Sequence, residues 1–211
     1  GERPETWTVS GSASQFYIRD DSFRTLRDPS LPRSVNEDLD AHDTHQNELL
    51  TSLDAIATWS KPGFKGKLRF SGTEEHEFSE GGNDIIAVAA LYADAAIKDW
   101  GVETRIGRQT RNTGGVLGRF DGAVLSFAAA QPFRLNAVAG SPVLRRRDEP
   151  FLEEKLFYGG SIDYSPAAGL DLTVFAIEQR AHDVLDRRAV GAEARYIDTD
   201  KAVFASVDYD I

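Results

Sequence analysis

The sequence predicts an all-β chain, an antiparallel up-and-down transmembrane β-barrel with about 10 or 11 strands visible. Three observations predict it. Apolar residues recur at every second position over most of the chain. The segments that show this period run about nine to twelve residues, near the length a tilted strand needs to cross a bilayer. The ten connections between them alternate between long and short, as in a barrel with short turns on one rim and outer loops on the other.

The first strand covers Trp7 to Ile18 and is followed by a long connection, Arg19 to His45. Leu49 to Ser60 then places Leu49, Thr51, Leu53, Ala55, Ala57 and Trp59 on one face, and Ser60-Lys61-Pro62-Gly63 is a tight turn. In the next strand Phe64, Gly66, Leu68 and Phe70 oppose Lys65, Lys67, Arg69 and Ser71. Glu74 to Asp84 is a long, acidic connection, and Ile85 to Ile97 is the most apolar stretch of the chain. Asp94 interrupts it, and it falls short of the roughly 18 to 20 apolar residues of a membrane helix. After a tight Lys98-Asp99 turn comes the fifth strand, with a longer connection expected at Asn112 to Arg119. Gln131-Pro132 is tight, Leu144 to Lys155 long, Ser165 to Gly169 short, Gln179 to Arg188 long and Asp198 to Lys201 short. Between the first two of these last four, Leu156, Tyr158, Gly160, Ile162 and Tyr164 oppose Phe157, Gly159, Ser161 and Asp163. At the end Val203, Ala205, Val207, Tyr209 and Ile211 oppose Ala202, Phe204, Ser206, Asp208 and Asp210.

Composition sets the outer bounds. The chain has 211 residues, a formal net charge of -10, no cysteine and no methionine. The charge argues against nucleic acid, which needs a basic stripe. The lack of cysteine removes disulfides and thiolate chemistry and fits export. A mean hydropathy of -0.38 excludes a helical membrane protein but not a barrel, whose strands are apolar on one face only. Trp7, Tyr17, Trp59, Phe64, Trp100, Phe133, Tyr164, Tyr196 and Tyr209 fall at or near strand ends, where interfacial girdles sit.

Taking the polar face as inward nominates ten pore-lining residues: Asp54, Lys65, Lys67, Arg69, Glu103, Arg105, Arg134, Asn136, Glu193 and Arg195. Several are basic although the whole chain is acidic, and basic ladders favour anionic solutes.

Arg105-Ile106-Gly107-Arg108-Gln109, followed by Arg119-Phe120-Asp121-Gly122-Ala123, resembles the GRQ…FDGA pattern of bacterial outer-membrane porin-like barrels, nearest in feel to the alginate-export type. The resemblance implies that Gly107, Arg108, Gln109 and Phe120, Asp121, Gly122 lie on neighbouring strands flanking one outer loop. It also implies a bacterial outer-membrane location and a passive channel or export pore without a cofactor. In such a wall the two glycines admit close backbone approach. Arg108, Arg111 and Arg119 are candidates to pair with Asp121 or Glu103.

Other chemistry is weaker. Glu74, Glu75, Glu77, Glu80 and Asp84 beside His76 match no calcium-loop spacing, and His42-Asp43-Thr44-His45 is a poor metal pattern, so no metal site is expected. His42-Asp43 and His182-Asp183 offer a rim histidine beside a carboxylate, but no nucleophile motif accompanies them, and no catalytic residue is assigned. The alternatives are a soluble all-β binding domain and an outer-membrane barrel hydrolase. Eleven strands would end the chain at the outer rim with an open edge, so residues 1–211 are expected to form one barrel domain, the N-terminal part of a larger barrel. Closure on eleven or ten strands is the alternative. Expected partners are outer-membrane lipid and lipopolysaccharide, hydrophilic solutes and a second copy of the chain.

Overall fold

In the computed structural model, residues 5–23, 43–78, 82–144 and 155–211 are described. They form one antiparallel sheet in which every strand pairs with its sequence neighbours, in the order β1 (Thr6–Phe23), β2 (Asp43–Lys61), β3 (Phe64–Glu77), β4 (Ile85–Ile97), β5 (Val102–Thr113), β6 (Val116–Ala130), β7 (Phe133–Pro142), β8 (Lys155–Ala167), β9 (Leu170–Ala181), β10 (Val184–Ile197) and β11 (Ala202–Asp210). The fold class is the up-and-down antiparallel one that the sequence predicts. Among the described residues β1 pairs only with β2, and β11 only with β10. No helix among them is long and apolar enough to cross a membrane.

Register fixes which residues share a face. The pairs Ser12 with Asp54, Asp54 with Ser71, Lys67 with Asp94, Asp94 with Arg105, and Arg105 with Val124 lie along one face. On β7 to β10 the same face carries Val138, Asn136, Ser161, Phe175, Thr173 and Glu193. The opposite face carries Ile106, Leu125, Leu135, Ile162 and Val174, all of them exposed. Val124, Val138, Phe157, Phe175 and Ile177, on the first face, are buried. The sheet is therefore concave toward the more polar face and convex toward the more apolar one. Exposing the apolar rows of a sheet this size to water would leave unburied the surface whose burial ordinarily stabilises a fold, about 25 cal/mol per Å².

Several aromatic residues pair on the convex face toward the strand ends. Trp7 stacks on Trp59 with ring centroids 5.7 Å apart, and Phe133 on Tyr164 at 4.8 Å. Trp59 lies across Gly66, where any Cβ would collide with the indole. From Trp7 to Tyr17 along β1 is about 33 Å at roughly 3.3 Å per residue. Tilted by about 40°, that rise becomes about 25 Å, the height of a lipid-facing band.

Two connections differ from the predicted rhythm. The span Asn112 to Arg119 holds only a two-residue turn, Gly114-Gly115, and Gln179 to Arg188 holds only His182-Asp183. All four turn residues have positive φ (68°, 76°, 47° and 64°), the left-handed pair of a tight hairpin whose twist matches its strands. The polar residues around them belong to strands that run on past the expected ends. Glu74, Glu75 and Glu77 likewise belong to β3, not to a loop. Residues 24–42 and Glu80 lie outside the described residues, as does His42.

Candidate functional site: the concave face and its inward hairpin

The GRQ and FDG triplets face each other residue for residue: Gly107 pairs with Gly122, Arg108 with Asp121 and Gln109 with Phe120. At this ladder the wall divides. Pairing of β4 with β5 stops at Leu91 and Arg108, and pairing of β6 with β7 stops at Phe120 and Pro142. Beyond it β5 and β6 stay paired to each other only, as a free hairpin. Glycine is required at the root. Gly107 has φ 121°, and a Cβ there would strike the Leu91 carbonyl oxygen; at Gly122 it would meet the Gly140 Cα at 2.6 Å.

The hairpin folds back over the concave face. Six residues past Arg108 carry its tip about 20 Å, and four interstrand spacings, about 19 Å, separate β6 from β10. The tip indeed reaches β10. Glu193 Oε2 accepts from Thr113 Oγ1 at 2.6 Å, and Oε1 accepts from the Gly114 and Gly115 amides at 3.0 and 3.4 Å. Beneath the hairpin Val116 and Phe120 pack with Val124, Val138, Phe157, Ile177 and Ala189. Phe120 meets Phe157 edge to face at 5.2 Å. This apolar cluster on an otherwise polar face is the seat of the hairpin.

The root is held by a buried ion pair. Arg108 Nε and Nη2 donate to Asp121 Oδ1 and Oδ2 at 2.8 and 2.7 Å, with the two side chains 5% and 3% exposed. Arg108 Nη1 donates to the Val88 carbonyl of β4 at 3.4 Å, spanning the gap where β4 and β5 have parted. A bidentate guanidinium-carboxylate pair suits this geometry, because it satisfies both groups where water is excluded.

All ten candidate pore-lining residues sit on the concave face by register. On β2 to β7 three acids beside the cleft are taken by arginines: Asp54 by Arg69 at 2.5 Å, Asp94 by Arg105 at 2.6 Å and Glu103 by Arg134 at 2.9 Å. Lys65, Lys67 and Arg111 are left over. Among the described residues none of the three makes a direct ion pair. They converge on a cleft of about 700 Å³ bounded by Asp94, Arg105 and the hairpin root at Gln109. Lys67 and Arg105 both approach the Tyr92 ring, at 5.4 and 4.2 Å from its centroid.

A hydrogen-bond ladder centred on Asn136 and Asp163 continues around the wall. Ser126 donates to Asn136 (2.7 Å), and Asn136 Nδ2 to Ser161 (3.1 Å) and Asp163 (2.8 Å). Thr173 donates to the other Asp163 oxygen at 2.9 Å, while Arg195 pairs with Asp171 at 3.3 Å. Of the arginine pairings expected around the motif, Arg108 with Asp121 forms, whereas Glu103 binds Arg134 instead. Asp94, Tyr92, Arg111 and Asp163 were not singled out as lining residues. The period-2 polar face of their strands carries the signal for all four.

His76 Nδ1 lies 2.6 Å from Asp84 Oδ1, and no group of three metal-ligating side chains occurs among the described residues. His182-Asp183 forms a turn, which accounts for its polar character.

No protein-family model matches this chain, and no curated protein does so significantly. Among solved structures it is similar to Pseudomonas aeruginosa OccK2 (OpdF), with 13% sequence identity and a TM-score of 0.43. It is also similar to that protein in complex with glucuronate, at 13% identity and a TM-score of 0.39. In each case the match covers 98% of this chain and 64% of that one, so the chain spans under two thirds of that protein's length. Likeness at this level carries no functional argument. The alginate-export likeness of the GRQ…FDGA segments finds no counterpart in these comparisons.

Proposed function

We propose that the chain forms the wall of a bacterial outer-membrane channel, a porin-like pore through which small hydrophilic solutes, anionic ones preferred, diffuse passively. The observation that carries this reading is the inversion of the sheet. Its exposed convex face is apolar, with the Trp7–Trp59 and Phe133–Tyr164 pairs at the short-turn rim and Tyr17, Tyr158 and Tyr209 nearer the other, and its concave face holds charges, hydroxyls and amides. A soluble binding domain would place the apolar rows inside. The apolar cluster of Val124, Val138, Phe157 and Ile177 on the concave side is covered by the chain's own hairpin.

Within the pore the β5–β6 hairpin narrows the passage, and Lys65 and Lys67, with no ion-pair partner among the described residues, present positive charge beside it, next to Arg111, which Asp163 and Glu193 partly offset. Fixed cations facing a water-filled path favour anions and sugar acids over cations. The ten candidate residues line this path. Among the described residues β1 and β11 are each paired on one side only; in the proposed membrane setting their other edges are paired too, because each unpaired N–H or C=O group in lipid costs several kcal/mol. The reading is of a channel, and no catalytic step is assigned to any residue.

The test is reconstitution. Heat-modifiable migration in a detergent gel and discrete conductance steps in a planar bilayer are expected, with a reversal potential favouring anions under a salt gradient. Full solubility without detergent would overturn the barrel. Clear cation preference would overturn the charge assignment alone.

A further inference from the structure

The convex face carries one charged cluster that the channel does not explain. On β9, Glu178 interrupts the apolar row of Leu172, Val174 and Ala176, and register sets it beside Tyr158 of β8 and Arg188 of β10. Its Oε1 accepts from Tyr158 Oη at 2.5 Å and from Arg180 Nε at 2.7 Å. Its Oε2 accepts from Arg188 Nε and Nη2 at 3.0 and 2.6 Å. The carboxylate is thereby shielded, only 12% exposed, while Arg180 and Arg188 remain 46% and 51% exposed. The acid acts as a clamp that holds two guanidinium groups side by side and faces their remaining N–H groups outward. Arg180 also interacts with the Tyr158 hydroxyl, while among the described residues Nη1 of Arg188 has no hydrogen-bond partner.

We infer that Arg180 and Arg188 form a binding site for the phosphate of a phosphorylated glycolipid headgroup in the outer leaflet. This rests on the membrane-barrel reading. The cluster lies at the end of the apolar row, level with Tyr158, at the rim where residues 24–42 and 145–154 join their strands. In a barrel the rim with the longer connections is the outer one, and the girdle marks headgroup depth. Charge in the apolar band itself would be costly, but at this depth guanidinium groups reach anionic headgroups. Two adjacent planar forks with free donors match the oxygens of a phosphate monoester, which a lone lysine would meet only as a point charge. The net charge of the cluster is positive, since two arginines surround one glutamate.

The experiment is native mass spectrometry of the whole protein in detergent, titrated with bis-phosphorylated lipid A and, separately, with the dephosphorylated lipid. The wild type is expected to retain the phosphorylated lipid preferentially, and inorganic phosphate at millimolar concentration is expected not to displace it. Arg180→Gln with Arg188→Gln should weaken retention by about tenfold or more, the loss expected when charge-assisted contacts go. Heat-modifiable migration reports whether the double variant is folded; if it is not, the single variants take its place, each with a smaller loss. Equal retention by variant and wild type, equal retention of dephosphorylated lipid, or displacement by free phosphate overturns the site. These outcomes in a protein that still needs detergent and shifts on heating leave the barrel standing. Solubility without detergent removes both.

Discussion

Glu193 on β10 receives the backbone amide of Gly114 from the tip of the β5–β6 hairpin, across the concave face and 79 residues away in sequence. With the Thr113 hydroxyl, this makes one carboxylate the latch of an element that has left the wall. Hydrogen bonds to a charged group each contribute about 1.5–3 kcal/mol. Glu193→Ala is therefore expected to loosen the tip without unfolding the sheet. Single-channel recordings should show larger or noisier conductance, and amide exchange at residues 114 to 116 should accelerate. Unchanged exchange there would remove the latch.

Arg108 and Asp121 hold the other end of the same hairpin. Removing one partner of a buried pair leaves an uncompensated charge and costs about 3–5 kcal/mol. Asp121→Ala is expected to lower thermal stability, measured by loss of heat-modifiable migration at a lower temperature. The double variant Arg108→Met with Asp121→Leu should recover much of that loss, because no charge then stays buried. A double variant as unstable as the single one would show that the pair contributes more than neutralisation.

Much of this was legible in the sequence, for a physical reason. Period 2 transmits directly from residue order to face, so the concave positions of Lys65, Lys67, Arg69, Glu103, Arg105 and Glu193 follow from alternation alone. The GRQ and FDG triplets pointed to neighbouring strands. The fate of the segment between them did not show. Its polar residues read as an outer loop, yet Gly114-Gly115 is a hairpin signal that fixes a two-residue turn. Where that hairpin goes depends on Val116 and Phe120 finding Phe157 and Ile177, and on Glu193 finding the tip. Those contacts are set by the curvature of the sheet, which alternation does not encode. His182-Asp183 failed in the same way, since a histidine-aspartate turn with positive φ carries no glycine to announce it.

Gly122 should tolerate no side chain. A Cβ there meets the Gly140 Cα at 2.6 Å and the Ala139 carbonyl, both backbone atoms with no rotamer to yield. Gly122→Val is expected to disrupt pairing of β6 with β7 and to cost more than the 1–3 kcal/mol of ordinary overpacking. The measurement is the yield of heat-modifiable protein after refolding. Gly118, with open space around it but φ 113°, separates the two effects. Gly118→Ala has only backbone strain to bear, on the order of 1–3 kcal/mol, and should still refold.

Charge selectivity gives the last prediction. On β2 to β7 the acids Asp54, Asp94 and Glu103 are each paired with an arginine, which leaves Lys65 and Lys67 as the lysines of the cleft without an ion-pair partner among the described residues, while Arg111 feels Asp163 and Glu193. Lys65 is exposed and Lys67 half-buried over the Tyr92 ring, and replacing them removes no ion pair among the described residues. Lys65→Glu with Lys67→Glu changes the local charge by two units for each residue. The reversal potential of the reconstituted channel should move toward cation preference, most strongly at low ionic strength, where the Debye length is about 30 Å at 0.01 M. At about 1 M salt, with screening over roughly 3 Å, the two proteins should differ little. A reversal potential that ignores both the substitution and the salt would place the conducting path away from this cleft.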